Sequence, residues 1–142
     1  MEKDKSAGLC RLLVTSVLAL ALLACNQPRS AKPDLRTIIL AANTAQYCHS
    51  REACLNPHIL SLESGYVVTT FIDAKPQYRQ VRAADLKDQL LGLPMSAWPR
   101  GPVITISPSD DVSDPKAVRQ NFSAAQEVCR SLGLEVQIRR GG

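Results

Sequence analysis

Four side chains able to bind a metal or to exchange disulfides fall within one run of eleven residues, "CHSREACLNPH": Cys48, His49, Cys54 and His58. Both histidines of the chain and two of its five cysteines are gathered there. Two thiolates and two imidazoles would complete a zinc tetrahedron. The spacing argues against it, because it lacks the usual C-x2-C and H-x3-H separations, and the adjacent Cys48 and His49 point apart in most backbone conformations. In an oxidising compartment the same spacing closes a small loop, so a Cys48–Cys54 disulfide ranks ahead of two unpaired thiols and of a metal site.

The other chemistry-bearing residues have plainer readings. Cys129 falls on the apolar face of a predicted helix, where a cysteine packs as a small hydrophobe. Asp110, Asp111 and Asp114 in "SPSDDVSD" do not follow the order of a calcium loop, and carboxylates are favourable before the positive end of a helix. No G-x-S-x-G elbow, P-loop or dinucleotide fingerprint is present, so no catalytic residue, metal or cofactor is assigned. Trp98, between Pro94 and Pro99, is expected in the core or as a cap over the sheet, ahead of an exposed binding aromatic.

These residues need a compartment and a scaffold. Leu12 to Ala24 carries no charge and follows Lys3, Lys5 and Arg11. As a helix it would reach about 20 Å, short of the roughly 30 Å apolar layer of a bilayer. A basic start and a short apolar run form a secretory signal. Its end, Leu22-Leu23-Ala24-Cys25, resembles the lipobox of bacterial lipoproteins. That resemblance implies cleavage after Ala24, a diacylglycerol on the Cys25 thiol and an acylated amine. Acyl chains at about 0.8 kcal/mol per buried CH2 would hold the protein on a membrane. Asn26, where lipoproteins retained at the inner membrane tend to have Asp, leans the expectation to the periplasmic face of an outer membrane. Cleavage after Ala19-Leu20-Ala21 is the alternative.

Beyond Cys25 there remain 117 residues, enough for one domain and a tether. "NQPRSAKPD" supplies the tether, so the expected organisation is a signal peptide 1–24, a spacer 25–35 and a single domain 36–142. The part after the signal has 14 Lys plus Arg against 11 Asp plus Glu, with no basic stripe and interleaved aromatics, which leaves no case for a nucleic-acid partner. "RTIILAAN" fits a strand, or a short helix running into "TAQY". Ile59–Leu62 and Tyr66–Ile72 around Ser64-Gly65 predict a hairpin, and Tyr78–Val81 another short strand. Leu86, Leu90 and Leu93 mark an amphipathic helix. "PVITIS" reads as a strand buried on both faces. Asp114-Pro115 starts a helix whose apolar face is Val118, Phe122, Ala125, Cys129 and Leu132, and Gly133 ends it. Leu134, Val136 and Ile138 then alternate inward, which completes a βαβ unit. The fold class is α+β, a small mixed sheet with helices packed on one face.

The order of elements in "TTFIDAKPQYRQVRAADLKDQLLGL" and "GPVITISPSDDVSDPKAVRQNFSAAQEVCRSLGLEVQI" resembles the periplasmic domain of the ExbD/TolR biopolymer-transport proteins. The resemblance spans Tyr66 to Ile138, and it implies a domain that dimerises and meets envelope or cell-wall partners. Proton coupling does not carry over, because Leu12 to Ala24 has no acidic residue. The resulting expectation is a membrane-anchored lipoprotein with a small interaction or assembly domain, a homodimer being allowed. A metal- or thiol-dependent periplasmic sensor built on Cys48, His49, Cys54 and His58 is the alternative.

Overall fold

The computed structural model describes residues 33–48 and 54–140. The signal region, Cys25, the tether up to Lys32 and His49 lie outside the described residues.

The chain enters through α1, Leu35–Ala41, so "RTIILAAN" takes the second of its two readings. Asp34 decides this locally. Its carboxylate accepts from the Thr37 N–H (2.8 Å) and hydroxyl (2.7 Å), and Leu35 and Ile39, one helical turn apart, are the buried pair. A 3-10 turn at Thr44–Tyr47 follows.

β1 (His58–Ser61) and β2 (Tyr66–Ile72) form the expected antiparallel hairpin. Gly65 at its turn has φ 144°, and a Cβ there would stand 2.5 Å from the Val81 carbonyl oxygen, so only glycine fits. β3 (Lys75–Val81) starts three residues before the expected strand. It turns back from β2 through Asp73 and Ala74, both at positive φ (52° and 61°), the twist that suits a two-residue hairpin. Pro76 is tolerated because β3 is the outermost strand.

The rest follows the periodicity. After α2 (Leu86–Leu91) come β4 (Val103–Pro108), α3 (Pro115–Ser131) and β5 (Glu135–Ile138). Asp114 caps α3 by accepting from the N–H groups of Lys116 (2.9 Å) and Ala117 (3.1 Å). At the other end Gly133, at φ 75°, lets its N–H reach Arg130 O (2.9 Å) and the Leu134 N–H reach Cys129 O (3.0 Å), the paired bonds of a Schellman stop.

The sheet order is β3-β2-β1-β4-β5. β1 pairs antiparallel with β2 and parallel with β4, and β4 pairs parallel with β5. One residue parity of the strands, Ile59, Tyr66, Val68, Ile104 and Ile106, meets Leu35, Ile39, Leu86, Leu90, Ala125, Cys129 and Trp98 in a single core. The described helices therefore lie on one face of the sheet. Two expectations are corrected by this. On the second face of "PVITIS" Val103 and Thr105 are only half-buried, while Ser107 is buried, and no described helix covers that face. Ile138 belongs to the covered parity yet is 57 % exposed, because β5 is a sheet edge. Trp98, with no exposed surface, is a core residue.

A polar clamp fixes the start of α3 to the β1–β2 turn. The Glu63 carboxylate accepts from the Asp114 N–H (2.7 Å), from the Ser113 hydroxyl (3.0 Å) and from the Ser113 N–H. Asn121 Nδ2 donates to Leu62 O (2.8 Å), and the Tyr66 hydroxyl donates to Asn121 O (3.0 Å). The Asp114 N–H foremost, then Ser113, hold the Glu63 carboxyl below its ordinary value of 4.5. A carboxylate whose folded pKa is depressed stabilises the fold above its unfolded pKa. That contribution should be lost as pH falls below about 4.5 through the lower folded value. Urea midpoints measured from pH 7 down to pH 3 should decline less steeply in Glu63→Gln than in the unsubstituted chain.

Candidate functional site

The described members of the cysteine-histidine run, Cys48, Cys54 and His58, do not gather as a metal set. Cys48 and Cys54 are bonded as a disulfide, with Cα atoms 4.7 Å apart. Asn56, two residues on, anchors the chain leaving this loop. Its Nδ2 donates to Gly101 O (2.9 Å) and Val103 O (2.6 Å), and its Oδ1 accepts from the Arg100 N–H (2.8 Å). The bridge is thus held beside the loop that feeds β4. With both sulfurs committed, the two thiolates of a zinc tetrahedron are not on offer in this state. Among the described residues no three His, Cys, Asp or Glu side chains gather as a metal set.

His58 has a different neighbour. It opens β1 with its side chain on the open face, and Nε2 is hydrogen-bonded to the Ser107 hydroxyl at 2.8 Å. The sequence gives no hint of this pair, because it depends on the parallel register that sets His58 opposite Thr105 and Leu60 opposite Ser107. Burial, then the charge of Arg139, push the His58 pKa below its ordinary 6.5. A histidine within reach of a serine is the first requirement of an activated nucleophile. The others are not met. Among the described residues no carboxylate hydrogen-bonds the imidazole, and Ser107 sits within a ladder whose N–H groups serve the sheet, leaving no donor pair for an oxyanion. His58 and Ser107 satisfy each other in the middle of a polar row that runs Tyr78, Thr69, His58, Thr105, Gln137 across the five strands.

The remaining candidates separate in the same way. Cys129 is buried on α3, and burial pushes its thiol up to about 12 despite the adjacent Arg130, so it packs and does not react. Asp114 is the α3 cap, and Asp110 and Asp111 are exposed in the loop before it. A cavity of about 130 Å³ lies between the β2–β3 hairpin and the end of α2, with Val68, Thr70 and Leu93 at its floor. Arg79 Nη1 donates to Gln89 Oε1 (3.3 Å) across its rim. The volume suits one side chain more than a small-molecule ligand, whose pockets begin at about 300 Å³.

The open sheet face is the remaining candidate surface. Val67, Phe71, Leu60 and Val103 are half-buried on it, and Tyr78 is 72 % exposed. Comparison with known protein families, with curated proteins and with solved structures returns no match for this chain.

Two measurements check this geometry. Cys48→Ser should lower stability by about 2 kcal/mol, the loop-closure value for a ring this small, read from urea unfolding. Removing the charge with Arg139→Gln should raise the His58 midpoint in an NMR titration. A depressed histidine pKa also means that stability falls as pH drops below about 6.5 towards the folded value.

Proposed function

We propose that this chain is a lipid-anchored envelope protein whose α+β domain is an interaction or assembly module without catalytic chemistry, and that the open face of the sheet is its contact surface. The observation that supports the reading is the one-sided architecture. A five-stranded sheet has helices on one face, while the other offers aliphatic and aromatic side chains around a satisfied His58–Ser107 pair. Antiparallel and mixed sheets of this kind can leave one face to water. Apolar side chains on either side of a polar row, with an exposed tyrosine, mix the apolar and hydrogen-bonding groups that protein contact surfaces use. In this reading the membrane contact is the lipid on Cys25, and the partner is an envelope protein or a cell-wall component.

The anchor and the surface are tested separately. Mass spectrometry of the mature protein should find an acylated Cys25 as its first residue, and Cys25→Ser should leave the chain unprocessed or unanchored. A mature start at Leu22 with an unmodified thiol would overturn the anchor. Pull-down from envelope extracts should return a specific partner that Tyr78→Ala with Phe71→Ser loses. Retention of that partner by the double variant would remove the open face from the proposal.

A further inference from the structure

The parallel pairing of β1, β4 and β5 brings three side chains from distant parts of the chain to one end of the open face. His58 of β1 and Ser107 of β4 are hydrogen-bonded through Nε2 at 2.8 Å. Ile106 lies opposite Ile138 in the register, and the Arg139 N–H donates to Ile106 O (3.0 Å), so the next residues, Ser107 and Arg139, are cross-strand neighbours. Side chains alternate along a strand, and Ile106 belongs to the core, which puts both on the open face. The charge of Arg139 adds to burial in lowering the His58 pKa, as a guanidinium close to the imidazole must.

The three differ in what they have left to offer. Ser107 is buried, His58 half-buried and Arg139 exposed, so they form a step from the sheet out to solvent. Ser107 orients the ring. With its hydroxyl donating to Nε2, the proton of the neutral imidazole lies on Nδ1, which has no hydrogen-bond partner among the described residues. Arg139 has no ion pair among them either. Thr69 and Thr105 flank His58 in the register, so neither β2 nor β4 sets a charge beside the ring. On β5 the other charge of this face, Glu135, is four residues from Arg139, about 13 Å along the strand. An imidazole N–H and a guanidinium fork thus stand side by side, and the described chain supplies no acceptor for them. Such donors suit a carboxylate.

The surroundings select what carries that carboxylate. Leu60 and Val67 share the register row of Ser107, while Val103 and Phe71 lie one row to the other side of His58, and all four are half-buried. Apolar surface on both sides of a charged step fits a carboxylate that stands among aliphatic side chains, as in a protein segment. It does not match one that stands among hydroxyls, as on a polysaccharide.

We propose that His58 and Arg139 form a carboxylate-binding site on the open face, which takes a Glu or Asp side chain from a protein segment whose neighbouring side chains are apolar. The site rests on the open face being the contact surface, and it adds the chemistry of the partner. In the bound state Ser107 holds the ring, Nδ1–H and the guanidinium donate to the carboxylate, and Glu135 repels a second acidic group further along β5.

The test uses the full chain, purified in detergent with its histidine and tyrosine rings isotope-labelled for NMR. Its probes are acetyl-Val-Glu-Val-amide and the Gln analogue at about millimolar concentration, the range of a single charged contact. His58→Gln identifies the resonance by its loss, since His49 is the other histidine of the chain. The Glu peptide should shift the His58 ring signals and raise the His58 midpoint, because a bound carboxylate favours the imidazolium. It should bind about tenfold more tightly than the Gln peptide. Arg139→Gln should erase that preference and Arg139→Lys should keep part of it; residue 139 is exposed, so neither change reaches the core. Equal binding of the two peptides, or a preference that survives Arg139→Gln, would overturn the site. Movement of the Tyr78 signals in those cases would leave the open face standing without it. Equal binding of acetyl-Gly-Glu-Gly-amide would overturn the assignment to an apolar protein segment. Silence of both His58 and Tyr78 towards every peptide would overturn the site and the contact surface together.

Discussion

One layer of helices has to serve five strands, and most of the structure follows from that shortage. The 17-residue α3 is about 25 Å long, and it packs on β1, β4 and β5. The short α1 and α2 fill in at its flanks, with Trp98 among them as the largest side chain that is fully buried. Among the described elements nothing is left for the second face. Strands therefore alternate buried and half-buried residues even at the centre of the sheet, and the outermost ones depend on their own side chains for protection from water.

Such a thin scaffold needs more than apolar contact to set the angle between layers. Hydrogen bonds supply it at two places. Glu63 and Asn121 bind the β1–β2 turn to the first half of α3, and Arg36 N–H donates to Leu132 O (3.3 Å) at its far end. Between them the helix is held at both ends, with Ala125 and Cys129 small enough to let it approach the sheet closely. Exchanging Gly133 for a residue with a Cβ would push against Arg36, whose own Cβ would be 2.9 Å away.

The parts legible from sequence are those where cap, period and stop agree. Asp114-Pro115, the spacing from Val118 to Leu132 and Gly133 all specify α3, and local agreement of this kind is what makes an element readable. The β1–β2 hairpin was legible because Ser64-Gly65 divides two apolar runs. Other features depend on partners far along the chain. "RTIILAAN" has strand-like composition, and only the Asp34 cap and the docking of Leu35 and Ile39 make it α1. β3 hides behind Pro76 and a turn of Asp73 and Ala74 that lacks glycine. The Cys48–Cys54 bridge could be read from spacing together with an expected oxidising compartment. The His58–Ser107 contact could not, since forty-eight residues separate its two members and a parallel register brings them together.

The position of α1 gives the domain a polarity. Asp34 and Arg36 lie against Gly133 at the end of α3, so the chain joins the domain from within the helix layer. Pro33 and the first turn of α1 thus belong to the helix-covered side of the domain, and among the described residues the opposite side is made of strands alone.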